Sequence, residues 1–306
     1  MLEQTLERVG DAGLFRPPII VGAVSQAREI AVVAPEAALI LEPCPRGSAA
    51  AVAFAALSVP DETVLLVLPS DHHVTNPAPL IAAIQRGLPV AQSSRLVTFG
   101  IQPTHAETGY GYILGGEAIG EGVLDAKSFV EKPEEEVAEE LTKAGNAFWN
   151  SGIFMFRADA FLDELRRHAL EIYEATKAAF ATARHDGRTM APDANALHDC
   201  PSTSIDYAVM EHSDRIAVIP IELDWSDVGS WAAVYDLGAR DEGRNLVSDN
   251  SRAIDSSGCL IRSDGPSVVA IGVQDLVVIA TDDHVLIVPR SQAQRVREAA
   301  EALKRP

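Results

Sequence analysis

Short apolar blocks alternate with helical spacing through the first two-thirds of the chain, each block brief enough to be a single strand. Residues 18–24 predict a strand, 25–33 a short amphipathic helix, 38–41 a second strand and 48–57 an alanine-rich helix. The run 63–68 is continuously apolar, the pattern of a strand buried on both faces of a parallel sheet. Residues 77–87 follow as a helix whose first turn tolerates proline. Further helices are expected at 134–143, with acids early and a lysine late as the helix dipole favours, and at 159–167 and 171–183. The stretch 184–200, rich in Asp, Pro and Asn, reads as a surface loop. This β-α-β-α rhythm predicts an α/β/α sandwich with a mostly parallel sheet.

After about Arg240 the pattern changes. Strands are expected at 253–255, 259–262, 268–272, 276–280 and 285–288, separated by Asp, Ser and Gly turns, with a closing helix over 291–303. The organisation expected is therefore an α/β core over 1–240 and a small β-rich unit over 241–306.

Composition narrows the partners. With 306 residues and 47% hydrophobic content, the chain can bury a sizeable core, and disorder is excluded. The formal net charge of −19 disfavours nucleic acid and anionic membranes, which such a surface repels. A single nucleotide remains compatible, because a divalent cation held by carboxylates can carry its phosphates. Cys44, Cys200 and Cys259 lack metal-type spacing and read as reduced thiols of a cytoplasmic protein. The opening Met1-Leu2-Glu3-Gln4 lacks a signal-peptide pattern, and the apolar runs fall well short of the roughly 20 residues a span needs. A homo-oligomer is compatible with all of this.

Several segments carry candidate chemistry, and each also has a plain structural reading. Asp71, in Leu68-Pro69-Ser70-Asp71-His72-His73, lies just beyond a strand end, where ligands of open α/β sheets sit; it either binds a metal or caps the next helix. Asp227, in Trp225-Ser226-Asp227-Val228-Gly229-Ser230-Trp231, is either a second metal ligand or part of a turn and cap. In Glu131-Lys132-Pro133, the lysine can neutralise a phosphate as a point charge or merely turn a corner. Thr108-Gly109-Tyr110-Gly111-Tyr112 permits close backbone approach to a ligand or forms a hairpin bend. Glu42-Pro43-Cys44-Pro45-Arg46-Gly47-Ser48 leads into a helix whose free amides suit an anion or a base edge. Asn150, in Trp149-Asn150-Ser151-Gly152, contacts a ligand or turns the chain. No P-loop, G-x-S-x-G elbow or Cys-His cluster occurs in the sequence.

Taken in order, these segments, together with FGIQPTHAETGYGYI (99–113), SIDYAVME (204–211) and the β-rich tail, resemble the mannose-1-phosphate guanylyltransferase family of sugar nucleotidyltransferases. The resemblance implies a nucleotidyltransferase-type, Rossmann-like α/β/α sandwich that transfers a guanylyl group from GTP to mannose 1-phosphate. It implies that Glu42, Pro43, Arg46 and Ser48 line the nucleobase side, with Gly47-Ser48 where the family shows Asn-Thr. It implies further that Asp71 and Asp227 share a catalytic Mg²⁺, that Gly109, Tyr110, Gly111, Glu131 and Asn150 hold the hexose, and that Lys132 binds its phosphate. The family's loop of the type G-G-x-G-T-R-L-x-P, which cradles the triphosphate, has no counterpart here, and Met1–Arg8 already resembles the helix after it. The expectation is an impaired and poorly stable chain. The alternatives are a non-catalytic sugar-phosphate binding or regulatory homologue, or a transferase for another sugar phosphate.

Overall fold

The computed structural model describes residues 1–304, and the chain divides into two compact units, Met1–Asp224 and Trp225–Pro306. In the first, α1 (Leu2–Arg8) leads to β1 (Ile19–Ala23), α2 (Ala27–Val33), β2 (Ala38–Glu42), α3 (Ser48–Leu57), β3 (Val64–Val67) and the short β4 (His73–Val74). Then come α4 (Ala78–Gln92), β5 (Leu96–Ile101), β6 (Tyr112–Gly120), β7 (Val123–Val130), α5 (Glu135–Ala144) and the long β8 (Ala147–Arg157). The helices α6 (Ala158–His168) and α7 (Leu170–Ala181) precede a hairpin of β9 (Arg184–Asp186) and β10 (Thr189–Ala191). A π-helical turn (Asp206–Met210) and β11 (Ile216–Ile221) complete the unit.

Among the described residues these strands build two principal sheets, ordered β1-β2-β10-β9 and β3-β8-β5-β11-β7-β6, with β6 also reaching β8. The parallel pairings that the alternating pattern calls for are β1–β2, β2–β10 and β5–β11. The remaining strands of the second sheet, β3, β6, β7 and β8, join it antiparallel. Residues 63–68 therefore differ from expectation. They form a half-buried strand at the end of its sheet, antiparallel to β8, because a continuous apolar run carries no information about its neighbour's direction. Within 184–200, expected as loop, Thr189-Met190-Ala191 adds a strand to β2 and buries Met190.

Alternation along the strands fixes the layers. Leu96, Phe154, Phe156 and Val218 share a core with Ala49, Ala50, Ala53, Phe161 and Leu165 from α3 and α6. Their neighbours Val97, Met155 and Ile219 point the other way, against Gly87 of α4. Helices thus cover both faces of the sheet. The alanines of α3 allow it to nestle between strands and helices, while Phe156 and Phe161 stack with ring centroids 4.9 Å apart. No helix among the described residues is long and apolar enough to cross a membrane.

The second unit contains β12 (Trp225–Ser226), α8 (Trp231–Leu237), β13 (Leu246–Val247), β14 (Ser251–Ile254), β15 (Leu260–Ser263), β16 (Val268–Ile271), β17 (Leu276–Ala280), β18 (Val285–Pro289) and α9 (Val296–Lys304). β13, β15 and β17 stack in parallel, as do β14 and β16, and β18 closes antiparallel on β17. The second compact unit includes α8, which has its core here: Trp231, Val234 and Tyr235 pack with Leu246, Leu260 and Val277. The Tyr235 hydroxyl donates to the Arg244 carbonyl at 2.6 Å, and the Arg290 guanidinium lies 4.2 Å from its ring centroid. The closing helix is not continuous: a 3₁₀ segment over Arg290–Arg295, kinked at Gln292 with φ −115°, precedes α9.

Phe161 is wholly buried, so Phe161→Ala is expected to cost about 3–5 kcal/mol. Urea unfolding followed by circular dichroism checks this; an unchanged midpoint would show that the aromatic stack is not part of the stabilising core.

Candidate active site

Strand register gathers most of the hexose-side residues. Tyr112, the first residue of β6, pairs with Val130 at the end of β7 and with Trp149 near the start of β8. Gly111, Glu131 and Asn150, each one position further along, therefore converge at one end of the sheet. The Asn150 N–H donates to the Gly111 carbonyl at 2.7 Å. A Cβ on Gly111 would overlap Glu131 Oε2 and lie 3.2 Å from Asn150 Cβ, so only glycine leaves the gap between them.

A bulge aims Asn150. Two steps along β5, from Thr98 to Gly100, match four along β8, from Phe154 back to Asn150, and Gly152 absorbs the extra length at φ +68°. The Asn150 amide is then held on every side. Thr98 Oγ1 and the Gly152 N–H donate to its Oδ1 at 3.3 and 3.1 Å, and its Nδ2 donates to Asp206 Oδ1 at 2.8 Å. Glu131 is as confined: its N–H donates to Glu211 Oε1 at 2.7 Å and its Oε1 pairs with Lys132 Nζ at 2.9 Å. Its Oε2 is buried without a hydrogen-bond partner.

Burial, and then the nearby Asp206 charge, push the Glu131 carboxyl above the ordinary carboxylate range. Burial also raises Asp206, against the lowering effect of hydrogen bonds from Ser204 and Asn150. For Lys132 burial opposes the ammonium, but the bond and charge of Glu131 outweigh it and hold the lysine above its usual value. Lys132 sits at φ +48°, in the left-handed region, with its side chain 55% exposed. The cation thus stands at the rim of an acidic pocket. Beside it, the Trp149 ring meets Tyr110 and His105 edge-on at 5.2 and 5.0 Å, and the Gly109 N–H donates to Glu107 Oε1 at 2.8 Å.

The residues expected on the nucleobase side divide by what holds them. Arg46 donates from Nε and Nη2 to the carbonyls of Leu197 and His198 at 2.9 and 2.6 Å, and Ser48 Oγ accepts the Ile205 N–H at 2.9 Å. Gly47, at φ +80°, packs so tightly on Thr203 that a Cβ would strike its backbone. These three shape the corner by fastening it to residues 197–205. Pro43 is exposed at the end of β2. Glu42 is 8% exposed, its Oε1 has no hydrogen-bond partner, and burial raises its carboxyl to about 7.

Asp71 is exposed in the loop after β3, in the first unit, and Asp227 belongs to the second. Asp227 Oδ1 accepts the Gly229 N–H at 3.0 Å, and Ser230 caps α8 by accepting from the Ala233 N–H at 3.2 Å. Between them Val228, a β-branched residue, is held at φ +50°, a conformation that costs about 1–3 kcal/mol and clusters at functional sites. His73 Nε2 is within 3.3 Å of Thr75 Oγ1, while the His72 carbonyl accepts from Arg8 Nη2 at 2.6 Å.

Residues 16–243 match the nucleotidyl transferase family, and residues 249–303 match the MannoseP isomerase/GMP-like beta-helix domain. A putative mannose-1-phosphate guanylyltransferase of Vibrio cholerae is 38% identical over 310 residues, covering 99% of this chain and 67% of that protein. The Salmonella typhimurium mannose-1-phosphate guanylyltransferase RfbM is 38% identical over 316 residues, covering 100% of this chain and 66% of its own length. This chain belongs to the mannose-1-phosphate guanylyltransferase family of nucleotidyl transferases. It spans about two thirds of the length of those curated relatives. A crystal structure from Thermus thermophilus, named as a mannose-1-phosphate geranyltransferase, superposes with a TM-score of 0.82 at 33% identity, over 99% of this chain and 89% of that one. The nucleotidyltransferase fold and the β-rich second unit agree with these relatives.

Sequence reasoning passed over three of the residues that build this guanylyltransferase-family pocket. Thr98 sits inside an apolar strand and gives no signal. Asp206 and Glu211 lie in the SIDYAVME segment, where two acids five residues apart were the available clue.

Two outcomes are expected. Gly111→Ala should displace the Glu131 carboxylate and weaken sugar-phosphate binding by about tenfold, the loss of one charged hydrogen bond, with little change in melting temperature. Calorimetric titration with a parallel melt separates the two effects. For Glu42, the carboxyl is protonated in folded and unfolded chains alike below about 4.5; between 4.5 and about 7 the folded chain keeps a proton that the unfolded chain has lost. Its contribution to stability therefore falls as pH rises through that window and levels off above it. Glu42→Gln should remove that slope, so that its advantage in urea midpoint grows from pH 4.5 to pH 7; a constant difference would contradict the burial argument.

Proposed function

We propose that the chain transfers a guanylyl group from GTP to mannose 1-phosphate, releasing GDP-mannose and pyrophosphate. The observation that carries this reading is the buried, unpaired Glu131 Oε2 facing the gap at Gly111 beside the Asn150 amide, with Lys132 Nζ at the rim. An acceptor next to an N–H donor suits a sugar hydroxyl, and the exposed ammonium suits the phosphate on the same sugar. A phosphate oxygen of mannose 1-phosphate attacks the α-phosphorus of GTP; that P–O bond forms as the bond to the β-phosphate bridge breaks, and pyrophosphate departs with the electron pair. No covalent enzyme intermediate is needed, so the side chains contribute position and charge. Lys132 holds the attacking phosphate. Glu42, once ionised, would accept from the N1–H and amino donors on the guanine edge.

The family resemblance makes Asp71 and Asp227 each a candidate Mg²⁺ ligand. Both supply hard carboxylate oxygens, and Mg²⁺ needs only one or two of these beside water and substrate phosphates. Water and substrate phosphate oxygens would complete the coordination. The ion, when bound, would neutralise phosphate charge.

A second reading is a sugar-phosphate binder without catalysis, in which the Gly111, Glu131 and Asn150 gap serves binding alone. Pyrophosphate release by the whole chain, measured with GTP, Mg²⁺ and a panel of sugar 1-phosphates, decides between the two. Guanylyl transfer predicts turnover with mannose 1-phosphate that Asp71→Asn, Asp227→Asn and Lys132→Ala each reduce by at least about 100-fold. A carboxylate variant with parent turnover would remove that residue from the metal assignment. Sugar-phosphate binding with no Mg²⁺-dependent GTP binding would establish the second reading.

A further inference from the structure

The π-helical turn Asp206–Met210 touches the pocket at both ends. Asp206 Oδ1 accepts from Asn150 Nδ2 at 2.8 Å, and Glu211 Oε1 accepts from the Glu131 N–H at 2.7 Å. The turn closes by a hydrogen bond from the Glu211 N–H to the Asp206 carbonyl at 2.9 Å, spanning five residues. In an α-helix, residues five apart point about 140° away from each other. The wider π turn brings them closer to one side, so two carboxylates reach the ends of β7 and β8, which flank the start of β6. Its inner side is anchored by Ala208, Val209 and Met210, all buried, and its start by the Ser48 hydroxyl, which accepts the Ile205 N–H.

We propose that this turn is a clasp whose carboxylates, Asp206 and Glu211, are positioning residues for the sugar pocket: Asp206 fixes the Asn150 amide and Glu211 fixes the Glu131 backbone. The inference rests on the reading of Asn150 and Glu131 as hexose ligands. Asn150 Oδ1 already accepts from Thr98 and Gly152, so an acceptor at Asp206 selects one of the two flipped states of the amide and turns its remaining N–H toward the gap at Gly111. Without that acceptor the amide loses its tether on the nitrogen side, and the buried N–H must find another partner. Glu211 acts through the main chain: it sets where β7 ends and so where the Glu131 carboxylate enters.

Calorimetric titration of the whole chain with mannose 1-phosphate tests this through a double-mutant cycle. Asn150→Ala and Asp206→Ala are each expected to weaken binding about tenfold, and the double variant to be no weaker than Asn150→Ala alone. Asp206→Asn, which still presents an oxygen to Asn150, should stay within about threefold of the parent. Additive losses, or parent affinity in Asp206→Ala, would overturn the clasp while leaving the pocket reading intact. Parent affinity in Asn150→Ala would instead sink the pocket reading, and the clasp with it. Should Asp206→Ala not fold, Glu211 decides: Glu211→Ala is expected to lose several-fold in affinity and Glu211→Gln to restore it, whereas parent affinity in Glu211→Ala rejects the proposal.

Discussion

A polar side chain taken out of water must be hydrogen-bonded or it costs several kcal/mol, and Asn150 is where that requirement shapes most of the first unit. Its amide lies 9% exposed among strand ends, so each of its atoms needs a partner from the chain. A bulge in β8 turns it inward, a threonine interrupts the apolar strand β5 to meet its oxygen, and a π turn brings a carboxylate to its nitrogen. None of these three features is explained by its own element. Each is a local irregularity with one shared purpose.

Carboxyl groups at strand ends of both sheets are confined by burial. Glu42 and Glu131 each keep a buried oxygen without a partner, and both are raised toward neutrality by burial. Glu164 is equally buried but is ringed by Arg167, Arg215 and His168, and so serves structure. The contrast separates carboxyl groups that await something from those already satisfied. In a chain of net charge −19, Lys132 stands at the rim paired with Glu131 Oε1, its side chain 55% exposed.

Much of this was legible from the residues. Apolar spacing located β1, α2, α3, α5, α6 and the strands of the second unit to within a few positions, because each is a short apolar or amphipathic run bounded by polar or turn residues. Strand direction was less legible: β3 and β8 are both apolar on every position that matters, and nothing in such a run says whether its neighbour is parallel. The β9–β10 hairpin was hidden because its single buried side chain, Met190, sits between Asp- and Asn-rich stretches. In the site, Gly111, Glu131, Lys132 and Asn150 stood out as sequence-level oddities next to strand ends. Asp206 did not, since a π turn has no period that a helical reading would notice. The residues that the resemblance assigns to the nucleobase side, Arg46 and Ser48, also hydrogen-bond the main chain of residues 197–205, contacts that span about 150 positions and leave no local pattern.

The second unit has a thermodynamic character of its own. Its β13–β15–β17 and β14–β16 stacks are successive coils of one ribbon, each coil hydrogen-bonded to the coil before and the coil after. Strand pairing in such a column joins nearest neighbours, and α8 ties three coils into one core through Leu246, Leu260 and Val277. A whole extra coil could be inserted or removed at a turn such as that around Gly265 with modest penalty, whereas a single residue added within one coil would throw every later coil out of step.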